Sequence, residues 1–126
     1  MRVIFVRHGQ TEWNKSGKFQ GHSDVPLNDT GRRQVKATAA YLAKEPIEAV
    51  YSSDLSRAID TGAAIASYHG LDPVPDARLR ELYMGKWEGL DFNTVYNNFR
   101  QEYDAWYGNP DGVTPGGEGV KDVEAR

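Results

Sequence analysis

The strongest constraint on the fold is a run of four apolar residues near the start of the chain. Val3-Ile4-Phe5-Val6 is followed at once by Arg7-His8-Gly9. An apolar run rich in β-branched residues, without polar alternation, is typical of a strand buried on both faces of a parallel sheet. The sequence therefore predicts an α/β fold whose first strand leads directly into a polar segment.

The order of strand followed by helix is repeated along the chain. The predicted elements are a helix from Asp29 or Thr30 to Pro46, a strand over residues 47–51, a helix from Ser52-Ser53-Asp54 to about Tyr68, and at most a short edge strand at Pro73-Val74-Pro75. Asp29 or Thr30 would cap the first helix, and Ser53 or Asp54 the second. This order predicts right-handed βαβ connections, a mostly parallel sheet within three α/β/α layers, and a ligand site at the carboxyl ends of the strands.

Two further regions have a distinctive composition. Residues 10–30 are polar and rich in turn-forming residues, which predicts a long loop, and such loops are usually functional. A third helix is predicted from about Phe92 to Trp106, and its aromatic residues recur at helical spacing. We interpret this aromatic stripe mainly as core packing, with a lid over a ligand as the alternative.

Composition excludes several classes of protein. The absence of cysteine excludes a disulfide scaffold, a cysteine nucleophile and a thiolate-bound metal. The net charge of −3 and the lack of any lysine or arginine run argue against nucleic-acid binding. No apolar run approaches the ~20 residues that a membrane span needs. We expect a cytoplasmic protein without a membrane, nucleic-acid or metal partner.

Residues after the first strand could hold an anion beside an imidazole. Arg7 would be costly to place after a buried strand without an anionic partner, and phosphate suits its two-pronged guanidinium. Gly9 permits close approach of a ligand to the backbone. Arg57 lies in the first turn of the second helix, where anions are favoured and an unpaired cation is not. Asn14 could donate an amide hydrogen bond to the same anion, and His8 is the candidate catalytic histidine.

Glu81 has two interpretations. It could form a salt bridge with Arg78 or Arg80. Beside a phosphate it could instead act as a general acid, because an anionic neighbour raises the pKa of a carboxyl group toward the working pH. We interpret His22 and His69 as mainly structural or solvent-exposed.

Six ordered blocks of sequence resemble the motifs of the histidine phosphatase, or phosphoglycerate mutase-like, superfamily. They are residues 7–14 (RHGQTEWN), Gln20-Gly21 with 24–27 (DVPL) and Gly31, 52–58 (SSDLSRA) with Thr61, Leu79-Arg80-Glu81, 85–89 (GKWEG), and 115–118 (PGGE). The tripeptide at residues 7–9 alone is a weak signal. Six such blocks, in the same order and spread across nearly the whole chain, are a specific signal.

The resemblance implies a phosphoglycerate mutase-like fold and a role for each matching residue. His8 would become phosphorylated and Glu81 would protonate the leaving oxygen. The phosphoryl oxygens would be bound by Arg7, Asn14, Gln20, Gly21 and Arg57. No metal or organic cofactor is implied, and the substrate would be a small phosphorylated metabolite. The turn at residues 85–89 resembles compact phosphatases such as the α-ribazole phosphatases, so we favour phosphomonoester hydrolysis, with phosphoglycerate mutase activity as the alternative.

One expected motif has no match in the chain. Members of this superfamily carry a second catalytic histidine in a His-Gly pair after a late apolar strand. His69-Gly70 has these letters but follows a predicted helix and precedes Glu81. We therefore expect residues 1–126 to be the N-terminal part of a single domain, with impaired hydrolysis by this part alone. The alternative is a catalytically silent phosphate-binding or interaction module. Open sheet edges would also allow chains to associate as a homo-oligomer.

Overall fold

The computed structural model describes the whole chain, residues 1–126. Its elements are, in order, α1 (Glu12–Lys15), α2 (Asp29–Leu42), β1 (Tyr51–Ser52), α3 (Ser56–Ser67), β2 (Val74–Pro75), α4 (Phe92–Asn98), α5 (Arg100–Trp106) and α6 (Val120–Ala125), with 3₁₀ turns at Ala77–Leu79 and Gly85–Trp87. Helices around a small parallel sheet give the predicted α/β fold class. No helix is both long enough and apolar enough to cross a membrane.

The sheet has two strands, β1 and β2, which pair in parallel with Tyr51 opposite Val74. The apolar run at residues 3–6, predicted as a buried strand, forms no regular strand, and Phe5 is 94% exposed. That prediction was wrong because an apolar run encodes only a tendency to be buried. A strand also needs a hydrogen-bonded neighbour, and no other segment of residues 1–126 pairs with this one.

The main aliphatic core lies where α2 and α3 pack together. Ala39 and Leu42 of α2 and Ile65 of α3 are buried, and Ile47 and Val50 pack partly buried against them. The segment predicted as a strand over residues 47–51 therefore does contribute to the core. Only its last residue, Tyr51, is paired, together with Ser52, as β1.

The helix caps differ from the predicted ones. Asn28 caps α2, because its Oδ1 accepts a hydrogen bond from the Gly31 N–H at 2.8 Å. The cap of α3 comes from the preceding loop, where Asp24 Oδ1 accepts from the Ser56 N–H (2.8 Å) and from its hydroxyl (2.7 Å). Asp54, a predicted cap, instead pairs with Arg80. Local sequence could not reveal a cap supplied from 32 residues upstream.

The aromatic stripe forms a second core centred on Trp87, which is fully buried. Its ring packs against Phe99, Tyr103 and Trp106, with centroid separations of 6.4, 6.2 and 5.3 Å. The predicted single helix is divided into α4 and α5 at Phe99, whose backbone leaves the helical region (φ −129°, ψ 39°). Val95 is buried and Phe99, Tyr103 and Trp106 are half-buried, whereas Phe92 is exposed, so the stripe is mainly core packing, as the favoured interpretation predicts.

Candidate active site

All seven predicted site residues line one cavity of about 200 Å³. The lining residues are Arg7, His8, Asn14, Gln20, Gly21, Arg57 and Glu81, joined by Lys18, Phe19 and Met84. They come from the segment after the apolar run, the loop around α1, the first turn of α3 and the segment after β2. A larger groove of about 350 Å³ between α2 and α3 contains none of the predicted site residues.

His8 is held in one orientation by the main chain. Its ring Nδ1 lies 2.7 Å from the carbonyl oxygen of Gly9. Because a carbonyl oxygen can only accept, Nδ1 carries the proton, and the neutral ring has its lone pair on Nε2. Burial is the main cause that lowers the pKa of His8, and the charges of Arg57 and Arg7 lower it further. The neutral, nucleophilic form is therefore favoured.

Gly9 joins the His8 segment to the helices behind it. Its N–H donates to the Thr61 hydroxyl at 3.3 Å, and that hydroxyl donates to the carbonyl oxygen of Arg57 at 2.7 Å. A Cβ at Gly9 would lie 2.6 Å from the carbonyl oxygen of Gly31. Glycine is thus required here by a close backbone approach, which fixes His8 relative to α2 and α3.

Arg57 is a buried cation without a carboxylate partner. Arg57 is only 2% exposed and forms no ion pair. Its Nη1 and Nη2 donate to the carbonyl oxygens of Ser23 and Gly21, each at 2.7 Å. Burial lowers the pKa of Arg57, and the nearby carboxylates of Glu81, Asp24 and Glu88 oppose that effect. The arginine is oriented by neutral groups, and its positive charge is left for a ligand.

Two amide side chains are oriented by Thr11. Asn14 Oδ1 accepts from the Thr11 N–H at 2.9 Å, and Gln20 Oε1 accepts from the Thr11 hydroxyl at 2.6 Å. Because both oxygens are engaged, the amide NH₂ groups remain available as donors at the cavity. Arg7, in contrast, is exposed and forms no ion pair. The prediction that it follows a buried strand and therefore requires an anionic partner was wrong, because residues 3–6 form no strand.

Glu81 also lines the cavity, and its side chain is exposed. The predicted salt bridge to Arg78 or Arg80 is not formed. Arg78 pairs with Asp76, and Arg80 pairs with Asp54 at 2.6 Å. The carboxyl group of Glu81 is thereby left without a cation of its own.

Sequence reasoning assigned no role to several residues that hold this cavity together. Thr11, Ser23, Asp24 and Thr61 fix the loops and the arginine through the contacts described above. Most of them lie within the six blocks of resemblance, which was the available signal. No cluster of three or more His, Asp or Glu side chains that could hold a metal ion is present.

The cavity thus brings together an oriented imidazole, a buried arginine without an ion pair and two amide side chains. The sequence profile of the histidine phosphatase superfamily (branch 1) matches residues 3–126. The chain therefore belongs to the histidine phosphatase superfamily, a family of enzymes.

Individual relatives agree with this assignment. Phosphoglycerate mutase-like protein 4 of Arabidopsis thaliana is 43% identical over 118 residues, which cover 91% of this chain and 51% of the relative. The structure of a mycobacterial glucosyl-3-phosphoglycerate phosphatase in complex with VO₃ superposes with a TM-score of 0.89 at 36% identity, covering 94% of this chain and 56% of that one. The α-ribazole phosphatase of Shigella flexneri gives a TM-score of 0.83 at 27% identity over 95% and 60% of the two chains.

The predicted phosphoglycerate mutase-like fold is confirmed, because nearly the whole chain superposes on solved structures of this kind. The chain also spans about half the length of the curated relatives that it matches.

Proposed function

We propose that the protein is a phosphatase that hydrolyses small phosphomonoesters through a phosphohistidine on His8. One observation carries this proposal: His8, whose Nε2 carries the lone pair, and Arg57, which has no ion-pair partner, line the same small cavity. A phosphoryl dianion would supply the ion-pair partner that Arg57 does not have. Phosphoryl transfer depends mainly on positioning and on stabilising charge, which is what such a cavity offers.

The residues divide the reaction between them. Nε2 of His8 attacks phosphorus while the phosphorus–oxygen ester bond breaks, and the leaving oxygen takes the proton of Glu81. The products of this step are an alcohol and a phosphohistidine. Water then gives a proton to Glu81 and its oxygen attacks phosphorus, which breaks the phosphorus–nitrogen bond and releases phosphate. Arg7, Arg57 and the amides of Asn14 and Gln20 bind the phosphoryl oxygens throughout, with the Gly21 backbone beside them.

The volume of the cavity, about 200 Å³, supports a small group such as a phosphoryl group as its occupant. The relatives are named as phosphatases of small phosphorylated metabolites. Glucosyl-3-phosphoglycerate and α-ribazole phosphate differ strongly outside the phosphate, so these names support the class of phosphomonoester alone. Cytoplasmic location stays a prediction from the sequence.

Mutase activity is the second candidate, because the plant relative is named phosphoglycerate mutase-like. The two functions differ in the group that accepts the phosphoryl group from His8. Release of inorganic phosphate at the rate of substrate loss supports hydrolysis, and isomerised phosphate ester without phosphate release supports the mutase.

We propose further that residues 1–126 form the N-terminal part of the histidine phosphatase domain. The matched region covers 51% of the plant relative and 56% of the mycobacterial phosphatase, and the exposed apolar residues 3–6 offer a surface for further strands. Turnover by residues 1–126 equal to that of the full-length protein would contradict this proposal. A full-length protein that binds phosphate without turnover would instead support the silent module.

Hydrolysis of a generic phosphomonoester by the full-length protein, with a metal chelator present, tests the proposed function. We expect turnover to persist with the chelator and His8→Ala to lower it by about 10³-fold or more, because the nucleophile is lost. His69→Ala is the matched control, since His69 lies outside the cavity, and should retain activity. Turnover that needs a metal, or that survives His8→Ala, would overturn the proposal.

A further inference from the structure

The side chain of Glu81 is exposed, but its main chain is held from two sides. The carbonyl oxygen of Glu81 accepts one hydrogen bond from His22 Nε2 at 2.9 Å and a second from Arg126 Nη2 at 3.1 Å. A carbonyl oxygen has two lone pairs, so both are occupied. Because no other side chain pairs with the Glu81 carboxyl group, its position depends on where this backbone is held.

Arg126 contacts the same segment at three carbonyl oxygens. Besides Glu81, its guanidinium donates to the carbonyl oxygens of Arg80, from Nη2 at 2.9 Å, and of Arg78, from Nη1. The other edge of the guanidinium binds the Glu118 carboxylate through Nε at 3.0 Å and Nη2 at 3.1 Å. Nη2 has two hydrogens for three acceptors, so one of these hydrogens is shared. Both side chains of this ion pair are only 20% exposed. A forked arginine suits this arrangement, because it can bind a carboxylate and several carbonyls at fixed angles.

Glu118 extends the network to the residue two positions after Glu81. Its Oε2 accepts from the Tyr83 N–H at 2.9 Å, and its own N–H donates to the Tyr83 carbonyl oxygen at 2.9 Å. The hydrogen bonds from Arg126 lower the pKa of Glu118. The main chain is therefore held at Arg80, before Glu81, and at Tyr83, after it.

His22 links this segment to residues 21–23, the loop that holds the Arg57 guanidinium. Its ring stacks on Tyr83, with centroids 5.0 Å apart and planes inclined by 28°. The residues on either side of it, Gly21 and Ser23, bind the Arg57 guanidinium through their carbonyl oxygens. The same three-residue loop thus contacts the arginine with its main chain and the Glu81 segment with its side chain.

We infer that His22, Glu118 and Arg126 form a clamp that positions Glu81 as the proton donor. The inference rests on the proposed function and adds three positioning residues to it, none of which touches the substrate cavity. A displacement of a reacting group by about 1 Å costs as much as 10²-fold in rate, so a loosened clamp should impair the proton-transfer step.

Dependence on the leaving group distinguishes positioning from general structural support. An alkoxide leaving group needs the proton of Glu81, whereas a nitrophenolate is stable as an anion and leaves without it. We therefore compare kcat/KM of the full-length protein for an alkyl phosphate and for p-nitrophenyl phosphate. Glu81→Gln sets the reference, with a large loss on the alkyl substrate and a small loss on the aryl substrate.

Two pairs of variants probe the clamp. Arg126→Ala and His22→Phe remove donors to the Glu81 carbonyl, and we expect each to lower kcat/KM for the alkyl phosphate by about 10- to 100-fold. Loss on the aryl phosphate should stay below about threefold, because that reaction needs little proton donation. Arg126→Lys and His22→Gln, which keep a donor near the same place, should recover part of the alkyl activity.

Arg78→Ala is the matched control. It removes an exposed ion pair from the same segment but leaves the carbonyl oxygen that Arg126 contacts, and it should retain activity on both substrates. Equal losses on the two substrates in Arg126→Ala and His22→Phe, without recovery in the conservative variants, would overturn the clamp. A wild-type protein without turnover, or Glu81→Gln without leaving-group dependence, would instead contradict the proposed function. If Arg126→Ala fails to fold, the two His22 variants decide the question.

Discussion

The two sides of the cavity are organised in different ways. On the phosphate side, Arg57 is buried, its two Nη groups are bound by main-chain carbonyls, and the His8 ring is oriented by the Gly9 carbonyl. On the acid side, the Glu81 side chain is exposed, and its carboxyl group accepts only from the N–H of the next residue, Leu82. The side chains of Arg57 and His8 are thus fixed directly, whereas for Glu81 only the main chain that carries the side chain is fixed.

This difference matches the tasks proposed for the two sides. Groups that stabilise phosphoryl charge work best when they are already in place, since no reorganisation is then needed during the reaction. A proton donor must release its proton to a leaving group and take one back from water, and an exposed carboxyl group can do so. Substitution of Arg57 should therefore reduce both stability and activity, whereas substitution of the Glu81 side chain should reduce only activity.

Arg57 and Glu81 give the sharpest form of this contrast. Arg57→Ala should lower kcat/KM by about 10²–10³-fold, because a charge-stabilising group is lost. It should also lower the free energy of unfolding by about 1–3 kcal/mol, because two carbonyls lose their donors. Glu81→Gln should impair hydrolysis of an alkyl phosphate while changing the free energy of unfolding by less than about 0.5 kcal/mol. Steady-state kinetics and urea unfolding measure both quantities, and equal stability losses in the two variants would break the comparison.

Gly21 tests whether the loop that binds Arg57 is rigid. Gly21 has φ +53°, and a Cβ there would contact the Glu88 carboxylate and lie 2.8 Å from the Met84 nitrogen. Gly17 is the matched control, with φ +68° and open space around it. In both alanine variants the left-handed backbone conformation should lower the free energy of unfolding by about 1–2 kcal/mol. We expect overpacking to lower it by about 1–3 kcal/mol more in Gly21→Ala. Only Gly21→Ala should weaken binding of inorganic phosphate, measured by calorimetry. Equal effects of the two variants would show that the loop adapts.

The titration of His8 gives the smallest expected effect. Burial, followed by Arg57 and Arg7, lowers the pKa of His8, so its NMR midpoint should lie below the ordinary value of about 6.5. Between the folded and unfolded pKa values the unfolded chain binds more protons, so the stability contribution of His8 falls as the pH is lowered through this window. Arg7→Gln should raise the pKa of His8, and added salt should reduce that difference because Arg7 is exposed. A midpoint at or above 6.5 in the wild type would contradict the burial of the imidazole.

Sequence predicted the site better than the elements that carry it. All seven predicted residues line one cavity. Polar residues after an apolar run, a helix start and an edge strand are local signals for five of them, whereas Gln20 and Gly21 followed from the family resemblance. The α/β class and the edge strand at Val74–Pro75 were equally accessible. The role of each residue in catalysis stays a prediction.

The features that the sequence predicted wrongly, or did not reveal, depend on contacts between distant segments of the chain. The apolar residues 3–6 needed a pairing partner that the sequence could not display. The cap of α3 came from Asp24, and Glu81 was held through its carbonyl by His22 and Arg126. These interactions involve main-chain atoms or residues far apart in the chain, so no local pattern records them.

The central claim is that His8 attacks through Nε2 because Nδ1 is bound to the Gly9 carbonyl. The most direct measurement is to incubate the full-length protein with a phosphomonoester, quench it in alkali and identify the phosphorylated residue and ring atom by mass spectrometry and ³¹P NMR. We predict phosphate on Nε2 of His8 and none in His8→Ala. Phosphate on Nδ1, on another residue, or surviving in His8→Ala would contradict the account.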